Sequence, residues 1–173
     1  MAQSGATKGR TTLEREEKTA ARRDAYVAFK AGNSMAALAA LSAATQKWSR
    51  GEAHELALGR QLSDISFSFR NEGNSALASN VATHALSRLA NAEGRMAPKD
   101  AVRALTLAGG IYEHVEGDLG RAQQAYRRVL ILDPNAVRAK ERLAHIAAVE
   151  AAASAKAAAN PMLQQRRTER GRQ

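Results

Sequence analysis

The sequence predicts an all-α chain of about seven helices: three helix–turn–helix hairpins, with the seventh helix as a C-terminal cap. Three observations predict it. The 173 residues include 39 alanines, only 4% aromatics and 3 prolines. Helices accept that alanine load, whereas strands favour β-branched and aromatic side chains. Apolar residues recur at steps of three and four along most of the chain, which is the helical period. Three similar breaks, Gly32-Asn33-Ser34, Gly73-Asn74-Ser75 and Gly117-Asp118-Leu119, stand 41 and 44 residues apart. A fixed period of that size marks stacked repeats, in which each hairpin buries its apolar face against its neighbour.

The elements follow in order. Residues 1–10 are small, polar and basic without periodicity, and read as a disordered arm. Thr11 with Glu14 three residues later suggests a capping box that opens the first helix. Gly32-Asn33 closes it, since glycine and asparagine tolerate the left-handed region. The second helix starts near Met35, carries Leu38, Leu41 and Trp48, and stops at Gly51. The third, about 53–71, places Leu58, Leu62, Ile65 and Phe69 on one face. Ser75 is the expected cap of the fourth, whose stripe is Leu77, Val81, Ala85 and Leu89. After the longest break, 91–97 with Gly94, Pro98 suits the first turn of the fifth helix. That helix carries Leu105, Ala108, Ile111, Tyr112 and Val115. The sixth carries Leu119, Ala122, Tyr126, Val129 and Leu130, and ends at Asp133-Pro134-Asn135. The seventh runs from about Asn135 through Val137, Leu143 and Ile146 into an alanine tract that Asn160-Pro161 ends. The helical domain thus spans residues 11–160, and residues 161–173 form a disordered arginine-rich tail.

The third break carries a recognisable pattern. Gly117-Asp118-Leu119, then Ala122, Tyr126, Leu130 and Asp133-Pro134-Asn135, resembles the second half of a tetratricopeptide repeat. Ala122 is small where two helices of one hairpin cross closely. Tyr126 is large where a gap toward the next repeat must be filled, and Pro134 sets the following turn. One repeat, about 103–136, is recognisable and two are divergent: the second hairpin has Ala78 followed by Ala82, the first Ala37 followed by Leu41. The fifth helix offers Leu107-Ala108 with Ile111-Tyr112 where the family has Leu-Gly and an aromatic, and its run to Gly117 is about two residues longer than the family pattern. The resemblance implies a right-handed α-hairpin solenoid that holds a peptide or partner helix on its concave face, lined by the first helix of each hairpin.

The chain is cysteine-free, with 26 Lys+Arg against 17 Asp+Glu, a net charge of +9. The absence of cysteine excludes disulfides, thiolate nucleophiles and cysteine-ligated zinc or iron–sulfur centres. No apolar stretch approaches the roughly 20 residues of a membrane span, and residues 1–10 lack an apolar core of signal-peptide length; a cytoplasmic protein is expected. The charge is uneven: the arm contributes +2, the tail +3 and the body between them +4. The folded part is therefore only mildly basic.

Little in the sequence reads as catalysis, and no enzyme, cofactor or metal is expected. His54, His84, His114 and His145 have no second histidine at helical spacing. His114, Glu116 and Asp118 cluster at a turn and read as helix-end solvation. Gly109-Gly110 lies inside a helix and is explained by close packing. Ser63, Ser66 and Ser68 have no histidine near them in sequence, and Asp64 is an isolated acid. The remaining signal is groove chemistry. Counting back from the matching turns places Arg22, Tyr26 and Phe29 on one side of the first helix and Arg60, Phe67 and Arg70 on the corresponding side of the third. Arginine with aromatics suits an acidic or amphipathic partner segment. Two partner classes follow: another protein, held by an adaptor, scaffold subunit or chaperone, or nucleic acid, held through the backbone by Arg166, Arg167, Arg170 and Arg172 of the tail. Self-association through the open face of the seventh helix is a third.

Overall fold

The computed structural model describes residues 4–48, 54–93 and 97–158, with side chains from residue 15 onward except at 48 and 92. All regular structure among them is helical: α1 (Ser4–Lys30), α2 (Ser34–Trp48), α3 (His54–Asn71), α4 (Ser75–Glu93), α5 (Pro98–Ile111), α6 (Leu119–Leu132) and α7 (Val137–Ala158). A single π-helical turn, Tyr112–Glu116, continues α5. Gly51, Gly94, Asn160, Pro161 and the tail 161–173 lie outside the described residues, as does the side chain of Trp48.

The same local chemistry makes all three hairpin turns. Gly32, Gly73 and Gly117 have φ of 78°, 79° and 70°, the left-handed region where a Cβ is strained. The next residue, Asn33, Asn74 or Asp118, turns its side-chain oxygen onto the backbone N–H three residues on: Ala36 at 3.3 Å, Leu77 at 3.2 Å and Arg121 at 2.9 Å. Each break is thus a glycine exit followed at once by an Asx cap. Ser75 is therefore not the cap of α4. Leaving α3 through Gly73 puts Asn74 in the capping position, and the Ser75 hydroxyl accepts from Arg70 at 2.8 Å instead.

At the first two turns the residue after glycine donates back five residues, Asn33 to Ala28 O and Asn74 to Phe69 O, both at 2.9 Å. At the third, Asp118 donates back six, to Tyr112 O at 2.8 Å. The π turn accommodates one of the extra residues there.

The N-terminus departs from expectation. α1 begins at Ser4, so Thr11 and Glu14 lie inside it, and the expected arm is helical over 4–10. No proline separates that stretch from the amphipathic part, and extending an existing helix needs no new nucleus.

α1 with α2, α3 with α4 and α5 with α6 form the hairpins; α1 also lies against α3, and α3 against α5. One core runs through the first two hairpins and reaches Ala104, Ile111 and Val115 beyond α4. A second, smaller core joins Leu105, Ala122, Tyr126, Val129, Ala139 and Ile146 across α5, α6 and α7. Beyond Ile146, α7 is exposed on every described side through Ala158. Among the described residues no helix is long and apolar enough to cross a membrane.

Candidate functional site

The six candidate residues of α1 and α3 divide into three groups. Phe29 is core: it is 0% exposed and sits 6.3 Å, ring to ring, from His84 of α4. It shares its helix face with buried Ala25, one turn away, and that face turns inward. It cannot line a groove.

Arg22 and Tyr26 hold α1 to α3. Arg22 donates from Nε to Gln61 Oε1 at 2.9 Å and pairs with Asp64 at 3.0 Å. Asp64, isolated in the sequence, is thus a cross-helix partner. Tyr26 stacks on Phe69 at 4.4 Å between centroids and donates its hydroxyl to Glu72. Accepting from that phenol suits the Glu72 carboxylate, and the bond, with some burial, raises the Tyr26 pKa above its ordinary value.

Phe67, Arg60 and Arg70 remain toward solvent. Arg60 and Arg70 are exposed, and Arg70 also reaches Ser75. Phe67 is half-buried, with its ring 6.2 Å from that of His114 and its Cζ near the bare backbone of Gly110 on α5. The side of the molecule where α3 meets α5 therefore carries the half-exposed Phe67 ring, with Arg60 and Arg70 exposed on the same helix as Phe67.

Its far edge is a polar cluster that sequence reasoning missed. Glu113, from the π turn, has a side chain 4% exposed. Arg142 of α7 grips it with two nitrogens, Nε at 2.9 Å from Oε2 and Nη2 on Oε1. Tyr126 of α6 donates its hydroxyl to Oε2 at 3.1 Å. His114 Nε2 lies 3.2 Å from Arg142 Nη2 and 3.8 Å from Glu113 Oε2. Burial pushes Glu113 up, but Arg142, His114 and the Tyr126 hydroxyl outweigh it and hold the carboxyl below its ordinary value. Burial, together with the carboxylate, pushes Tyr126 up to about 12. The only signal in the sequence was Tyr126 itself, since a buried phenol needs a partner; nothing marked Glu113 or Arg142, 29 residues apart, as that partner.

Gly109 and Gly110 differ. A Cβ at Gly109 would stand 2.7 Å from Tyr126 Cε1, so close packing requires that glycine. At Gly110 it would meet only Phe67 Cζ, at 3.8 Å.

Other chemistry is sparse among the described residues. No group of three His, Asp or Glu comes together as metal ligands would. Ser63 and Ser66 are buried, and Ser66 donates to Ser63 O at 2.8 Å. One serine–histidine contact exists, Ser42 Oγ to His54 Nε2 at 3.2 Å, tying α2 to α3. The His54 Nδ1 is buried with no partner, so no third group orients that ring as a nucleophile's base requires. A depression of about 310 Å³ lies between α4, α5 and α6, and Arg128 bridges its edge to Glu93. The tail arginines Arg166, Arg167, Arg170 and Arg172 lie outside the described residues.

Comparison with known proteins adds no relative: no family model, curated protein or solved structure matches this chain.

Proposed function

We propose that this chain is a non-catalytic interaction module of the cytoplasm, a tetratricopeptide-like right-handed stack of hairpins that holds a segment of a partner protein on the face shared by α1, α3 and α5. The observation that carries the reading is the position of Phe67. It is a large apolar ring left half-exposed on α3, beside the bare backbone of Gly110 on α5, on a helix that also exposes Arg60 and Arg70. Phe is among the side chains enriched at protein interfaces, and aromatics with arginine are frequent among their hot spots.

The hairpin turns support the stacked arrangement, since one Gly-Asx device recurs three times. The π turn supports the family likeness. With its extra residue set aside, Leu105, Ala108, Gly109 and Tyr112 stand at the spacing the family gives to its first-helix pattern of aromatic, Leu-Gly and aromatic. Gly109 then takes the place of the family's glycine, and Tyr126 packs on it. The partner segment is acidic or amphipathic, as the arginines favour.

The test is capture from the native lysate, followed by reconstitution with the purified protein identified there. Phe67→Ala combined with Arg60→Ala is expected to weaken the reconstituted complex at least about tenfold. Arg127→Ala, on α6, leaves it unchanged. A partner held equally well by the double variant overturns the assignment to this face.

A further inference from the structure

We infer that the seat of α7 on the third hairpin is also an interface between two copies of this chain, which exchange α7 across the turn 133–136 and bring their exposed Ile131, Leu132 and Val137 together. The exchange needs nothing from the partner face of α1 and α3. It also differs from contact through the open face of α7, because the surfaces that meet are the turn and the seat.

α7 sits on the hairpin as a bound helix sits in a groove. Its inward residues, Ala139, Arg142, Leu143 and Ile146, are spaced i, i+3, i+4 and i+7. The seat supplies Leu105, Tyr126 and Val129 as an apolar floor and Glu113 as the acceptor of Arg142. Emptying it bares that floor and strands a buried carboxylate. Whatever refills it must be an amphipathic helix with arginine at that one place. The α7 of a second copy meets the requirement by identity. The joint between α6 and α7 is short and local. Pro134 holds Asp133 in extended backbone, with φ −140° and ψ 92°. The hydrogen bonds of the turn, Ala136 N–H to Asp133 O at 3.1 Å and Asn135 N–H to Asp133 Oδ1 at 3.0 Å, lie within it. Such a joint can open without unwinding either helix.

The surface around this turn points to the second copy. Among the described residues six large apolar side chains are exposed, and three of them, Ile131 at 78%, Val137 at 65% and Leu132 at 44%, fall within seven positions of one another. Scattered singly such residues need no cause, but a cluster marks a contact surface. Opened out, the four residues of the turn span at most about 14 Å. α7 therefore reaches a second copy's seat only when the two turns lie side by side. That places one apolar cluster against the other, in a contact continuous with the seat. The seat contacts are the same whichever chain supplies α7, so they cancel between the closed and exchanged forms. The cluster is what favours the pair, against the cost of joining two chains.

The experiment uses the full chain, whose lack of cysteine confines a thiol cross-linker to introduced positions. Gln123 of α6 donates to Glu150 of α7 at 2.8 Å, so this pair reports which chain fills the seat. Gln123→Cys and Glu150→Cys chains, one carrying a size tag, are mixed in urea near the unfolding midpoint, returned to buffer at high protein concentration and treated with a short bismaleimide. The cross-link between the two chains is expected at least about tenfold above that between Gln46→Cys, on α2, and Glu150→Cys. Light scattering is expected to show the parent as a dimer that dissociates on dilution. Ile131→Lys with Val137→Lys lowers the association constant at least about tenfold and, both side chains being exposed, leaves the melting temperature of the monomer unchanged. A chain carrying both Gln123→Cys and Glu150→Cys, cross-linked within itself as a monomer, cannot exchange and is expected to stay monomeric. Four results overturn the inference: a parent that is monomeric up to about 1 mM; a locked chain that dimerises as the parent does, which makes the cluster a contact without exchange; a cross-link between chains no stronger than the Gln46→Cys control; or a dimer as tight with both lysines as without them.

Discussion

The first two hairpins and the end of the stack are built on different principles. In α1 to α4 the interior is apolar and large: Phe29, Phe69, Leu41, Leu56, Leu58, Leu62 and Ile65 are all at most 1% exposed. Alanines at 25, 37, 78, 82 and 85 let the helices close around them. At the end of the stack α7 buries only Ala139 and Ile146. There the contact depends on charge: Arg142 reaches in to Glu113, and Tyr126 completes the set. A broad apolar face holds helices together but tolerates sliding. A two-nitrogen grip on one carboxylate fixes position, since its geometry is met at one register only. A terminal helix with little area to bury gains most from the second device.

The largest expected effect falls on the first region. Phe29→Ala should cost about 3–5 kcal/mol, from lost burial and the cavity left behind. Urea unfolding measures the loss, and hydrogen exchange shows where it falls. Protection should drop through α1–α4 and persist in α6. Uniform loss along the chain would mean that the two cores melt as one, and the comparison would break.

The next effect tests the second region. Arg142→Ala should cost about 2–3 kcal/mol, because it strands a buried carboxylate while its own partly exposed guanidinium gives up less. Exchange should accelerate in α7 first. The pH dependence has a definite sign. Glu113 titrates lower in the folded chain than its ordinary 4.5, so its contribution is present above that value and lost as the pH falls below it. Tyr126 titrates higher, at about 12 against an ordinary 10, so its contribution is present below 10 and lost between 10 and 12. α7 should therefore loosen at both extremes, and Tyr126→Phe should remove the alkaline limb. An α7 equally protected across the range would show that the apolar contact alone positions it.

The smallest effect sharpens the account of the first core. Ser63 is fully buried and its hydroxyl has no partner. Ser63→Ala should be neutral or stabilise by up to about 1 kcal/mol, measured by thermal unfolding. A clear loss of stability would mean that the hydroxyl is satisfied and the interior less apolar than described.

The candidate face was half legible in the sequence. Helical spacing put Tyr26 on α1 and Phe67 on α3, but it could not separate Phe29, which faces α4, from its neighbour Tyr26 three residues away. Faces of one helix differ by rotation, and which rotation is buried depends on helices distant in sequence. Arg22 looked like a groove cation because Asp64 and Gln61 lie on another helix. For the same reason Glu113 was passed over beside the more conspicuous His114 and Asp118.

By itself the sequence determined the helices and their turns. A glycine that can enter the left-handed region is chemistry within a few residues, and the helix stops read directly at positions 32, 73 and 117, whereas the Asx caps that follow them did not, Ser75 having been the expected cap of α4. The tertiary structure decided the rest: that Phe29 is core and Phe67 surface, that Gly109 is filled by Tyr126 and Gly110 is bare, and that Glu113 has Arg142 to hold it. Those outcomes depend on which helices meet and at what rotation, and contacts across tens of residues leave no local mark on the residues that make them.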